Sequence, residues 1–288
     1  MCPKSYQVVL PALKRQLINA VFIIIISFFS NSLGAQDTLS LIDQSSDKIR
    51  SDNDSVFSFE SNGERIFYRK WGSPVIANNR KILLILHGIG FHSYPYGKIT
   101  KYIENDSVLV YAIDMPGHGL SGNPRGVIES NKNILASIDS LILLIDEENK
   151  YAEIYLMGVS MGSVYALASA MNDSTASHLA GLILIGSPLR VHRSQIVHFD
   201  NISCIFPLIF NRKRPFLYLD GRRLESSVND QEYIDARRND SLSIHYISMD
   251  YLLKVRKIQR ECKRKSALSS ISLPVLIIHG GNDKISSI

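Results

Sequence analysis

Ser160 is the residue around which a reaction can be built. It stands at the centre of Gly158, Val159, Ser160, Met161 and Gly162, a G-x-S-x-G. A short apolar run precedes it (Ile154, Tyr155, Leu156, Met157), and Val164, Leu167, Ala168 and Met171 recur at helical spacing after it. A continuous apolar run reads as a parallel strand covered on both faces, and a period near 3.6 reads as a helix. The five residues therefore fall on a sharp strand-to-helix turn, a setting that holds a serine hydroxyl strained and exposed as a nucleophile. A side chain at Gly158 or Gly162 would collide with the neighbouring strand or helix, and the Met161 N–H must stay free to bind an oxyanion. The chemistry is attack of a hydroxyl on a carbonyl carbon, with the developing charge caught by main-chain amides. An ordinary glycine-rich turn is the competing reading.

The elements that would position this turn can be read on either side of it. Val56 to Glu60 and Arg65 to Trp71 alternate as strands do, and Ser61, Asn62 and Gly63 between them signal a hairpin. Lys81 to Leu86 and Val108 to Ile113 are short apolar strands, with helix-compatible sequence from Tyr96 to Glu104 between them. Ile134, Leu135, Ile138, Leu141, Ile142 and Ile145 mark an amphipathic helix before the Ser160 strand. Beyond the Ser160 helix come a strand at Leu182 to Ile185 and a last one at Val275 to His279. Strands alternating with helices predict an α/β chain: a parallel, doubly covered sheet with an antiparallel hairpin at one edge.

Four motifs end these strands in order: HGIG at His87 to Gly90, DMPGHGLSG at Asp114 to Gly122, GVSMGS at Gly158 to Ser163, and PVLIIHGGND at Pro274 to Asp283. Together they resemble the α/β-hydrolase superfamily, and within it the monoacylglycerol lipase and lysophospholipase group with its serine aminopeptidase-like relatives. The resemblance implies an α/β-hydrolase fold with a helical cap inserted after the sixth strand. It places the two oxyanion donors at the N–H groups of Ile89 and Met161 and the triad acid at Asp283. His87, Gly88, Asp114, Gly117, His118 and Gly119 fall in loop motifs with structural roles in the group. Val159 stands where the group often has His. The implied activity is hydrolysis of carboxylic esters of lipid-like substrates, of monoacylglycerol or lysophospholipid type, through an acyl-enzyme, with no metal and no organic cofactor. A peptidase or amidase of the same fold is the alternative enzyme, and turn geometry is the alternative explanation of Asp283.

In this superfamily the triad order is Ser, Asp, His, and a helix, a strand and their connections should separate acid from histidine by roughly 25 to 30 residues. The sequence ends at Ile288, and its eight histidines, at 87, 92, 118, 178, 192, 198, 245 and 279, all precede Asp283. A serine without a base is a poor nucleophile. The expectation is an incomplete copy of a longer hydrolase, lacking its last helix, strand and helix, with Val275 to Ile278 left as an uncovered sheet edge. A catalytically inactive binding protein is the rival from another class.

Around this core the expected divisions are a signal peptide or anchor at 1–35, a flexible leader at 36–54, the hydrolase core at 55–190, the cap at 191–272, and the last core strand with the acid loop at 273–288. Lys4, Lys14 and Arg15, the apolar Ala20 to Phe29, then polar and small residues to Ala35, follow the order of a secretory signal with cleavage after Gly34 or Ala35. A secreted or periplasmic protein follows, or a membrane-anchored one if the segment stays uncut. Those 35 residues hold three of the 32 Lys and Arg and none of the 27 Asp and Glu, so the rest carries 29 minus 27, or +2. A charge this small gives no case for nucleic-acid binding. Residues 191–272 are locally basic, with 15 Lys and Arg against nine Asp and Glu. Arg212, Lys213, Arg214, Arg222 and Arg223 would face either anionic head groups at a membrane surface or plain solvent. Ile202 to Phe210 reads equally as an acyl-chain entrance and as cap core. Cys204 and Cys262 either pair or stay as thiols.

Overall fold

Asn62 and Gly63 both adopt positive φ, at 51° and 76°, and fold β1 (Ser55–Ser61) back against β2 (Glu64–Trp71) in an antiparallel hairpin. This two-residue turn with both φ positive twists in the sense of the strands it joins, as expected of an Asn-Gly pair. The structure is a computed structural model and describes residues 55–72, 80–103, 108–121, 124–191, 211–219, 231–264, 268–281, 283 and 286–287.

In chain order there follow β3 (Lys81–Leu86), a 3₁₀ helix (Tyr94–Tyr102), β4 (Val108–Ile113), α1 (Asn131–Glu148), β5 (Glu153–Val159), α2 (Met161–Ala170), α3 (Asp173–Ala176) and β6 (Gly181–Ile185). Then come β7 (Arg190–Val191), β8 (Pro215–Tyr218), α4 (Gln231–Asn239), β9 (Tyr246–Ser248), α5 (Met249–Cys262), β10 (Val275–Ile278) and β11 (Ser286–Ser287). The main sheet has seven strands in the order β1-β2-β4-β3-β5-β6-β10; β2 meets β4 antiparallel, and from β4 to β10 every pair is parallel. Alternation within each strand sends side chains to two covered faces. Ile82, Leu84, Leu86, Leu109, Tyr111 and Leu156 join the core packed by α1, α2 and α5, whereas Ile85, Val110, Ala112, Met157 and Ile183 pack with Trp71 and Ile99. The sheet and its helices give the parallel, doubly covered α/β arrangement with an antiparallel edge hairpin that the strand pattern predicts, and they fit the α/β-hydrolase fold that the resemblance implies.

The six apolar positions expected on the helix before the Ser160 strand lie on α1, and five of them are fully buried, Leu135 being packed at the margin. Ser130 caps this helix, its hydroxyl accepting the Asn133 N–H at 3.1 Å. Two differences from expectation have simple causes. The segment around Tyr96 to Glu104 is a 3₁₀ helix starting at Tyr94, with Pro95 fixing its first turn. Residues 191–272, expected to be helical with no clear strand, also contain β8 and β9, which pair antiparallel. Strands of four and three residues are too short to leave a readable alternation, and their pairing is long-range.

The same stretch contributes α5, whose Tyr251, Val255, Ile258 and Cys262 are buried in the main core. The Cys262 thiol donates to the Val164 carbonyl at 3.6 Å, and burial pushes its pKa up to about 12. Strand β10 is the outermost described strand on its side of the sheet, and its four residues are half-buried. Residues 1–54, Ile202 to Phe210, Cys204, Arg222, Arg223, His192 and His198 lie outside the described residues, and with them the expectations placed there. Among the described residues, no helix is long and apolar enough to cross a membrane.

Candidate active site

Ser160 is half-buried at the junction of β5 and α2, with φ 51° and ψ −118°. A non-glycine residue in this region costs of order 1–3 kcal/mol and persists only where its surroundings over-determine it. They do so here through the two glycines. A Cβ on Gly158 would lie 2.3 Å from Ser163 Cα, and one on Gly162 would lie 2.2 Å from the Leu86 carbonyl oxygen. The turn is thus pressed against its own helix on one side and against β3 on the other. The Ser160 N–H donates to the Ile185 carbonyl at 2.8 Å, and its carbonyl accepts the Ser163 N–H at 2.9 Å. Met161 opens α2, so its N–H belongs to the four that have no acceptor within the helix and lies at the positive end of the helix dipole.

The loop after β3 comes alongside this turn. A Cβ built on Gly88 would be 3.4 Å from Ser160 Cβ and 3.6 Å from the Val159 carbonyl, so the base of the serine borders the space that a side chain at 88 would fill. The Gly88 carbonyl accepts the His87 Nδ1–H at 2.8 Å and the Phe91 N–H at 3.2 Å. The Ile89 N–H is the opposite pole of that same planar peptide, so fixing the carbonyl fixes the direction of the N–H.

His87 can donate through Nδ1 because its Nε2 accepts the Met115 N–H at 3.0 Å. Burial pushes the His87 pKa down to about 3, which keeps the ring neutral. The His118 ring packs against it at a tilt of 53° with ring centroids 4.7 Å apart, and burial together with the His87 neighbour likewise lowers its pKa to about 3. Behind both rings the Tyr251 hydroxyl lies 3.2 Å from His118 Nε2 and 2.7 Å from Met161 Sδ.

Asp114 is buried and acts as a loop staple. Its carboxylate accepts the N–H groups of Ser93 (2.6 Å) and Leu120 (2.9 Å) and faces Arg69 at 3.6 Å. Gly119 is forced by this carboxylate, since a Cβ there would stand 2.4 Å from Asp114 Cγ, and Gly117 by the Val127 carbonyl at 2.2 Å. His87, Asp114, Gly117, His118 and Gly119 therefore hold the loops against one another.

Asp283 reaches the same end of the sheet. The Gly186 N–H binds the Ile278 carbonyl and the Ser160 N–H binds the Ile185 carbonyl, both at 2.8 Å, so β5, β6 and β10 deliver their loops to one edge. Asp283 closes a turn on the Gly280 carbonyl at 3.1 Å, and its Oδ2 lies 3.5 Å from His279 Nε2. Two further described histidines face other acids: His92 Nε2 is 2.6 Å from Asp240, and His178 Nδ1 is 3.0 Å from Asp146. Among the described residues, no three His, Cys, Asp or Glu side chains gather as a metal ion would require. Tyr251, Arg237 and Asp240, all close to the turn or its loop, gave no local signal in the sequence because their partners on the turn and its loop are more than 80 residues away.

A family model described as serine aminopeptidase, S33 matches residues 77–288. The rat monoglyceride lipase is 23% identical over 230 residues, covering 78% of this chain and 72% of its own length. A phospholipase from Bacillus subtilis is 22% identical, covering 71% and 76%. Among solved structures, a soluble variant of the Saccharomyces cerevisiae monoglyceride lipase in complex with a substrate analogue superposes with a TM-score of 0.68 at 18% identity, over 83% of this chain and 81% of that one. With the family model spanning most of the chain and the sheet and strained serine turn in place, this protein is a member of the serine aminopeptidase S33 family, an α/β-hydrolase of the monoacylglycerol lipase-like kind.

Proposed function

We propose that the protein is a serine hydrolase that cleaves carboxylic esters of lipid-like substrates, of monoacylglycerol or lysophospholipid type, through an acyl-enzyme. The observation that carries this reading is the positive φ of Ser160, held against Gly88 and the start of α2. Strain maintained by its surroundings at an accessible hydroxyl points to reaction rather than to packing. In this mechanism Ser160 Oγ attacks the ester carbonyl carbon and gives its proton to the triad imidazole, which the family order places after Asp283 and which none of the eight histidines of this sequence supplies. The carbonyl oxygen becomes an oxyanion facing the N–H groups of Ile89 and Met161. Collapse expels the alcohol, which takes up the proton, and water then releases the acid by the same route. Asp283 orients the imidazole and stabilises its cation. Relatives named as lipases and a phospholipase support a lipid-like substrate.

A second reading, a scaffold that binds without turning over, is favoured by the state of four of the described histidines. His87 and His118 are buried and neutral, with both ring nitrogens engaged, and His92 and His178 are bound to Asp240 and Asp146. A fluorophosphonate probe separates the two. Labelling of the wild type and not of Ser160→Ala supports the hydrolase; equal silence supports the inactive scaffold. In a labelled protein, faster turnover of monoacylglycerols than of short acyl esters or aminoacyl amides supports the lipid substrate, and preference for the amides transfers the reading to a peptidase.

A further inference from the structure

We propose that segment 237–244 sets the direction of the Ile89 N–H, with Arg237 and Asp240 as positioning residues that act through Gly90 and His92. This rests on the hydrolase reading, because Ile89 matters only if an oxyanion forms. The loop from His87 to His92 is anchored on both sides of Ile89. On the near side lies the Gly88 carbonyl, bound by His87 and Phe91. On the far side the Gly90 carbonyl accepts the Ile244 N–H at 2.9 Å and faces Arg237 Nη1 at 3.4 Å, while Nη2 of the same guanidinium lies 3.5 Å from the Ile244 carbonyl.

Arg237 is only 6% exposed, and its guanidinium carbon stands 4.1 Å from the centre of the Phe91 ring. A buried guanidinium must be matched by acceptors or a ring face, and here both belong to the loop or to the strand-like link beside it. Two residues on, His92 is 1% exposed. Its Nδ1 accepts the Tyr94 N–H, so Nε2 carries the proton and donates to Asp240 at 2.6 Å. Asp240 also accepts the Leu242 N–H at 2.9 Å and the Ser243 hydroxyl at 3.0 Å. Burial alone would raise its pKa, yet the His92 contact and these bonds hold it down at about 2, an ionised acceptor.

The fit leaves no slack at Gly90. A Cβ there would fall 2.7 Å from Arg237 Nη2, 2.8 Å from Leu219 Cδ1 and 2.9 Å from the Ile244 carbonyl, and its φ is +76°. All three groups come from the region inserted after β7. Ile89 thus hangs between one anchor made by the sheet loops and another made by the insertion, and a shift of 237–244 carries the donor with it.

The test uses the full chain with two separate substitutions, Asp240→Asn and Arg237→Gln, and Asp235→Asn on the exposed face of α4 as the control. Backbone amide exchange over 87–93 and the rate of Ser160 labelling by a fluorophosphonate are both measured, with kcat and KM on a monoacylglycerol. Faster exchange over 87–93, a labelling rate and kcat lower by about 10- to 100-fold, and an unchanged KM are expected, since losing a donor outright costs about 10²- to 10³-fold. Unchanged exchange in whichever variant folds overturns the inference, as does faster exchange with wild-type labelling. If the wild type itself is not labelled, the hydrolase reading falls, and exchange over 87–93 alone decides whether the segment holds the loop.

Discussion

Replacing Ser160 by glycine should stabilise the protein relative to replacing it by alanine, although both remove the nucleophile. The hydroxyl makes no cap bond to α2, so its loss costs little by itself. Alanine keeps a Cβ at φ 51° and therefore keeps the strain, about 1–3 kcal/mol. Glycine releases that strain and gives back about 0.5–1 kcal/mol through the greater freedom of the unfolded chain. The difference should be up to about 2 kcal/mol in favour of glycine, which for a domain of this size raises Tm by roughly 2–4 °C per kcal/mol. Thermal and urea unfolding of Ser160→Gly and Ser160→Ala side by side measure it, with the difference in urea midpoint at constant slope as the quantity compared. If the alanine variant is the more stable, the turn is not strained, and the link from backbone geometry to an activated serine is lost.

Other expectations are simpler. Gly88→Ala should fold normally, since its new methyl meets nothing closer than 3.4 Å, yet it should slow Ser160 labelling because that methyl lies against the serine; Gly162→Ala, driven 2.2 Å from the Leu86 carbonyl, should lose about 1–3 kcal/mol or fail to fold, as unfolding curves would show. His87 and His118 have folded pKa values near 3, below the usual 6.5, so the unfolded chain binds more protons. Their contribution to stability is complete above about pH 6.5 and is lost as pH falls toward 3; urea midpoints that stay flat from pH 7 to pH 5, where carboxylates hardly titrate, would contradict the burial of both rings. Tyr251→Phe should cost about 1–3 kcal/mol in unfolding free energy by leaving His118 Nε2 unpaired, and a neutral effect would show that the hydroxyl does not serve that ring.

Whatever depends on local period or on a glycine's clearance was legible in the sequence. Lys81 to Leu86 and Val108 to Ile113 are strands at the expected bounds, because continuous apolar runs have few other ways to hide both faces. The turn at Ser160 was legible from its glycines, since only a residue without a Cβ fits where that atom would fall 2.3 Å from Ser163 Cα. The helix at Tyr94 kept its place but not its type, because a proline start in a short segment suits a tighter turn. The β8 and β9 pairing and the contacts of Arg237, Asp240 and Tyr251 were not legible, since each depends on where a distant segment lands. No window around Asp240 marks it as the partner of His92.

The residues that would act on charge and the residues that decide whether they can are different sets. Both proposed oxyanion donors are main-chain N–H groups, so the side chains of Ile89 and Met161 are free to serve packing, as the buried Met161 does. Direction is supplied to the Ile89 N–H from behind by neutral His87 through the Gly88 carbonyl, while the Tyr251 hydroxyl packs on the Met161 sulfur. A neutral imidazole suits this task better than a charged one. It donates from Nδ1 while accepting at Nε2, whereas a second proton would turn Nε2 from acceptor to donor and set it against the Met115 N–H. The burial that depresses its pKa thus also protects the direction of the Gly88–Ile89 peptide.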